Sequence, residues 1–177
     1  MDRNYGHILV ADNGQSCVFV FDCDGKILFH VSWYFKRVRN NDYLNYCCFL
    51  LQVGLKNKLK LIISVAVGPD GIILVAGSRI LVFSAKGDFS EEIKGDGKGQ
   101  GRYGGIAIDH KGRILASRIE KGRSVIQVLK LGGGTLFTEI DSYNSKLRRP
   151  SGIALLPDEH VIVVDLGNDC IKKFRYW

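Results

Sequence analysis

The sequence repeats one unit three times in register. Ser64-Val65-Ala66-Val67, Gly105-Ile106-Ala107-Ile108 and Gly152-Ile153-Ala154-Leu155 are short apolar runs. Each is followed by a tight turn (Gly68-Pro69-Asp70-Gly71, Asp109-His110-Lys111-Gly112, Leu156-Pro157-Asp158-Glu159) and by a second run, Ile72–Ala76, Arg113–Ser117 or His160–Asp165. A third run comes next, at Ile80–Phe83, Val125–Leu129 and Ile171–Phe174, and a weaker fourth at Phe89–Ile93 and Leu136–Ile140. β-Branched residues dominate these runs and glycine interrupts them about every ten residues, which predicts strands and excludes helices. Part of an earlier copy stands at Ile8–Asp12, Cys17–Phe21 and Lys26–Phe29.

Ser64, Gly105 and Gly152 are 41 and 47 residues apart. Four short strands every ~40–45 residues is the arithmetic of a β-propeller blade. The predicted fold is all-β, with four-stranded antiparallel blades: a partial blade over 1–30, blades over 53–103 and 104–149, and a partial C-terminal blade over 150–177. Residues 31–52 break the rhythm, because they lack strand–turn alternation and are crowded with Tyr, Cys and Asn. Val10 aligns with Val75 65 residues later, an interval that omission of 31–52 restores to blade length. The two ends of this segment can be encoded as the two ends of an intron, in frame. We expect a translated retained intron, against the alternative of a surface-loop insertion. The first copy begins at its second strand and the last ends at its third. That gives about 3.5 blades and predicts the C-terminal part of a larger protein, with unpaired edges.

The chain carries a net charge of +7 and has five cysteines, Cys17, Cys23, Cys47, Cys48 and Cys170, at irregular spacing. Nothing resembles a zinc framework, and reduced thiols in a cytoplasmic protein are expected. The opening residues lack the apolar core of a signal peptide, and Tyr43–Leu55 is too polar and too short to span a membrane. The glycine run Gly95–Gly101 precedes a strand instead of a helix and lacks the Gly-Lys-Ser/Thr ending of a phosphate loop, so it reads as an inter-blade loop. No catalytic motif is present, and neither a metal nor a cofactor is expected.

Propeller strands run radially, so the loops entering each inner strand share a face with the turns between second and third strands. That face is expected to gather Lys98, Arg102, Tyr103, Arg118, Lys121, Arg123, Lys146, Arg148 and Arg149. Clustered cations with an aromatic nearby can grip the phosphates and stack the bases of single-stranded or hairpin RNA, and a protein ligand is the other occupant expected there. Asp12 and Asp165 recur just after a second strand, where a carboxylate can accept hydrogen bonds from the following turn.

Pro150, Gly152-Ile153-Ala154, the strand Val161–Val164 and Asp165-Leu166-Gly167-Asn168, followed by a strand ending in Phe174, resemble an NHL repeat, and Asp12–Phe21 fits the repeat's later half. Two copies depart from the pattern, with Gly77-Ser78 and Arg118-Ile119-Glu120-Lys121 where Asp and Asn are expected. The ending Tyr176-Trp177 is similar to the last blade of the TRIM-NHL ubiquitin ligases, which carry RING-finger, B-box and coiled-coil regions upstream. The resemblance implies a six-bladed ring, a structural loop role for Asp12, Asp165 and Asn168, and a non-catalytic module that docks protein substrate, adaptor or RNA for a ligase whose RING lies outside this sequence. The alternatives are an RNA-binding repressor module and a six-bladed propeller lyase or hydrolase. The enzyme would need metal ligands where the inner strands carry Ser64, Gly105 and Gly152.

Overall fold

The computed structural model describes residues 6–14, 16–32, 61–94, 101–141 and 146–177. They form fourteen strands: β1 (Ile8–Asp12), β2 (Cys17–Phe21), β3 (Ile27–Ser32), β4 (Ile62–Val67), β5 (Ile73–Gly77), β6 (Ile80–Phe83), β7 (Phe89–Ile93), β8 (Arg102–Ile108), β9 (Arg113–Glu120), β10 (Arg123–Lys130), β11 (Leu136–Ile140), β12 (Pro150–Leu156), β13 (His160–Asp165) and β14 (Cys170–Arg175). Four antiparallel sheets result, in the orders β1-β2-β3, β4-β5-β6-β7, β8-β9-β10-β11 and β12-β13-β14. We number them blades 1 to 4. The inner strands of blades 2, 3 and 4 lie side by side, β8 between β4 and β12, and β1, the counterpart of the second strands β5, β9 and β13, lies against β4.

The core is three layers, one between each pair of neighbouring blades. Val18, Val20 and Val31 of blade 1 meet Ile62, Ile73, Val75, Leu81 and Phe83 of blade 2. Leu74, Ile80, Val82 and Ile93 of blade 2 meet Tyr103, Ile106, Ile114 and Leu129 of blade 3. Leu115, Ile126 and Val128 of blade 3 meet Leu147, Val161, Val163 and Tyr176 of blade 4. This explains the unbroken apolar runs in the sequence. A strand with a neighbouring blade on each side buries both faces, as all five residues of β5 and all four of β6 do. Each buried Ile, Leu, Val or Phe side chain among them contributes roughly 1.5–3 kcal/mol by leaving water.

The hairpins within blades close on side chains suited to the task. The Asp22 Oδ1 accepts from the amides of Asp24 and Lys26, at 3.0 and 2.8 Å. The Ser84 hydroxyl oxygen accepts from the amides of Lys86 and Asp88. Such side-chain turns replace backbone partners that the reversal removes. Blades 3 and 4 come closest at β8 and β12. A Cβ added to Gly105 would stand 2.0 Å from the Ser151 carbonyl oxygen and 2.9 Å from the Ile153 nitrogen. Gly105→Ala therefore forces two backbones apart, and denaturant unfolding should show a loss of about 1–3 kcal/mol. A loss below that range would mean that the two strands separate freely.

Val31 and Ser32, assigned from sequence to the irregular segment, are the last residues of β3, in register with Val18 and Cys17. Val31 is buried in the first layer. The rest of that segment, the proposed intron remnant, lies outside the described residues. β9 also corrects the sequence reading: it runs through Arg118, Ile119 and Glu120, where a loop was expected. No Asp or Asn stops that strand, and the reversal falls instead at Lys121–Gly122, with Gly122 at φ 80.

Candidate interaction face

Three blades share one construction where the chain enters the inner strand. Each inner strand has a register irregularity at its start, and the residue before it pairs with a late residue of the second strand: Ile62 with Gly77, Tyr103 with Arg118, Pro150 with Asp165. Gly77, Arg118 and Asp165 thus hold one structural position. Each blade solves the same problem, fixing the entering loop, with different chemistry.

In blade 4 the solution is a buried carboxylate. Asp165 is fully buried. Its Oδ1 accepts from the Arg148 amide at 2.7 Å. Its Oδ2 accepts from Asn168 Nδ2 at 2.6 Å and from Lys172 Nζ at 2.8 Å. Asn168 Nδ2 and Lys172 Nζ also donate to the Lys146 carbonyl, at 2.8 and 3.0 Å. Burial pushes the Asp165 pKa up. The bonds from Lys172, Asn168 and the Arg148 amide outweigh it and hold the carboxyl below its usual value. The loop from Lys146 to Arg149 is tied at both ends, and Arg149 takes a left-handed conformation, φ 66. Asp12 holds the corresponding place at the end of β1, opposite Cys17.

In blade 3 the position belongs to Arg118, which is 4% exposed. Its guanidinium lies over the Tyr103 ring, 4.7 Å from the centroid, and its Nε donates to Glu120 Oε1 at 3.0 Å. Tyr103 is wholly buried and hydrogen-bonds through its hydroxyl to Gln127, whose amide donates in turn to Glu139. Arg123 pairs with the same Glu139 at 2.7 Å and lies 3.6 Å from Asp141.

The residues expected on the cationic face therefore divide. Tyr103 and Arg118 belong to the interior of blade 3, a correction to their placement on an open surface, because stacking on each other satisfies both. Arg123 is exposed but has carboxylates beside it. Arg102, Lys121, Lys146, Arg148 and Arg149 are exposed, and among the described residues no acid pairs with their side chains. Lys98 lies outside the described residues.

A second polar cluster, which the sequence did not reveal, stands on the opposite rim. Arg113 and Asp109 form a buried pair at 2.6 Å, with side chains 6% and 3% exposed. Asp109 Oδ1 also accepts from the amides of Lys111 and Arg113, and its Oδ2 accepts from the Tyr176 hydroxyl at 3.2 Å. Glu159 of blade 4 receives Lys111 at 2.9 Å and Arg113 at 3.1 Å. The Arg113 guanidinium lies 5.1 Å from the Tyr176 ring centroid and 4.7 Å from that of Trp177, which meets Phe137 edge-on. Burial opposes the Asp109 charge, but hydrogen bonds from Arg113 and Lys111 keep its pKa below the usual value. The cluster joins blade 3 to the C-terminal residues of blade 4. Its only sequence signal was the aspartate before Lys111-Gly112, since the other partners stand 46 to 67 residues apart.

Among the described residues no group of His, Cys, Asp or Glu is placed to hold a metal ion, and no helix is long and apolar enough to cross a membrane.

Comparison with known proteins fits this geometry. Residues 147–174 match the NHL repeat, the segment that carries Asp165, Asn168 and Lys172. The arrangement of all four sheets is similar to the WD40 β-propeller domain of Doa1, with a TM-score of 0.56 and 12% identity over 97% of this chain and 51% of that one. The fold is a partial β-propeller. It is also similar to U3-55K (TM-score 0.54, 12% identity, 96% of this chain and 48% of that one). A protein of unknown function from Bacteroides caccae is similar too (TM-score 0.52, 14% identity, 97% and 58%). The propeller thus spans about half of the structures it matches. No curated protein sequence matches it.

Proposed function

We propose that this partial propeller is a non-catalytic recognition module that docks an acidic segment of a protein partner on the face carrying Arg102, Lys121, Lys146, Arg148 and Arg149. The observation that carries this reading is the clamp built on Asp165. It fixes the loop that ends in Arg148 and Arg149 while leaving both guanidinium groups in water and without carboxylate partners among the described residues. A loop ordered before binding loses less entropy on binding. Exposed like charges held together destabilise the fold and favour an anionic partner. Burial of Tyr103 favours protein over RNA, because it removes the aromatic platform expected for stacking bases.

The resemblance to TRIM-NHL ligases supports a finer reading. The module would bring a substrate or adaptor to a ubiquitin ligase in the cytoplasm, whose RING, B-box and coiled coil lie upstream and whose further blades complete a six-bladed ring.

Fluorescence anisotropy with an acidic peptide and with a single-stranded RNA of equal charge tests the docking claim. The peptide should bind more tightly. Arg148→Glu with Arg149→Glu should weaken it by a factor of ten or more, because charge reversal turns two attractions into repulsions. Tighter binding of the RNA, with the same loss on charge reversal, would transfer the face to nucleic acid. Binding unaffected by the double reversal would remove the face from consideration.

A further inference from the structure

One backbone angle on the cationic face is out of keeping with its residue. Arg149 stands at φ 66, in the left-handed region. That conformation crowds the Cβ of any residue but glycine against a carbonyl oxygen, and the ring of Pro150 restricts the residue before it to extended backbone. Ser16, Asp70, Asp158, Glu159 and Asp169 share the conformation, but all lie in reversals between strands of one blade, and three are aspartates, which tolerate it. Arg149 instead leads into an inner strand. Leu61 and Arg102 hold the same place in blades 2 and 3, before Ile62 and Tyr103, and neither has a positive φ.

The neighbours impose the angle. The Arg148 amide donates to Asp165 Oδ1 at 2.7 Å, and the Arg148 carbonyl accepts from the Gly167 amide at 2.5 Å. These bonds fix the orientation of the peptide that joins Arg148 to Arg149. One residue later, Pro150 is buried and already in register opposite Asp165. Arg149 makes the whole turn between these two fixed points through its own φ and ψ. Gly167 permits the approach, since a Cβ there would stand 2.1 Å from the Arg148 carbonyl oxygen. A strained residue persists where its surroundings over-determine it, and such residues concentrate at functional sites. This one is exposed and carries a guanidinium on the face read above as the docking site.

We propose that Arg149 is the anchor of that face, held left-handed at a cost in stability so that its guanidinium is aimed before the acidic partner arrives; the proposal rests on the docking role given above. Asp165 and Gly167 are positioning residues that act through Arg149. A side chain on a fixed backbone loses less freedom on binding. Affinity therefore depends on the orientation of the 148–149 peptide as well as on charge.

Thermal unfolding, and anisotropy with a capped hexaglutamate peptide, test this on the full chain. Arg149→Gly should melt about 2–4 °C above Arg149→Ala, because both lack the charge and only glycine escapes the strain. At Arg148, whose φ is not positive, alanine should melt above glycine. Gly167→Ala pushes the Arg148 carbonyl away and keeps every charge. It should weaken the peptide roughly 3- to 10-fold and abolish the advantage of glycine over alanine at position 149. Asn168→Ala loosens the same loop at Lys146 without adding an atom, and should weaken the peptide in the same sense. A wild-type chain that ignores the peptide would remove the docking role and this proposal with it. Equal binding by wild type, Gly167→Ala and Asn168→Ala, or equal melting of the two Arg149 variants, would overturn the proposal and leave the docking role standing.

Discussion

Replacing Arg113 by alanine is expected to lower the unfolding free energy by roughly 3–5 kcal/mol, because it leaves the buried Asp109 carboxylate without its cation. Two further losses act in the same direction. Glu159 loses one of its two cations, and the rings of Tyr176 and Trp177 lose the guanidinium they pack on. Denaturant unfolding measures the change. Arg123→Ala is the comparison, since its pairs with Glu139 and Asp141 are half exposed and worth about 0.2–1 kcal/mol. The cluster spans blades 3 and 4, so amide exchange in β14 should quicken in Arg113→Ala and stay unchanged in Arg123→Ala. Equal losses in the two variants would mean that the Asp109–Arg113 pair does not join the blades.

Asp165→Ala is expected to be as damaging, roughly 3–5 kcal/mol, for a related reason. It takes the anion away from the largely buried Lys172 ammonium and from the Asn168 amide, which keep the Lys146 carbonyl, and it frees the Arg148 N–H that anchors the entering loop. The same carboxylate sets an acid limit. Its pKa in the folded chain lies below the unfolded value of 3.8, so the folded state holds the proton more weakly than the unfolded one. The stability it supplies is complete above the ordinary carboxylate range and is lost as pH falls through 3.8 and below. Asp109 acts in the same sense. Thermal unfolding followed from pH 7 to pH 3 should show a steep fall below about pH 4. Asp165→Asn, which keeps the shape and removes the titration, should start lower and fall less steeply. Parallel curves would show that Asp165 contributes no proton-linked stability.

The architecture was legible because a propeller is local. Strands adjacent in sequence pair within a blade, so apolar runs and turn residues placed β4 to β7, β8 to β11 and β12 to β14 with small errors at their ends. The largest of them is in blade 3, where the second strand runs past Ser117 to Glu120. Blade 3 has Arg118 where blade 4 has Asp165, and an arginine stacked on a tyrosine lets β9 continue where an aspartate-led turn would end it. Sequence order could assign Arg118 and Tyr103 to the correct end of the blade. It could not show that they turn inward to each other, since that depends on the contact across the register irregularity. The Asp109, Arg113, Glu159 and Tyr176 cluster was hidden for a different reason. It crosses between blades, and nothing in local patterning pairs residues so far apart.

Whether the clamped cationic loop receives an acidic partner is read by hydrogen–deuterium exchange of the full chain, alone and with a saturating acidic peptide. Added protection is expected at residues 146–149 and at 121–123, with residues 109–113 unchanged. Protection confined to the Asp109–Arg113 rim, or none at 146–149 in a chain that demonstrably binds the peptide, would contradict it.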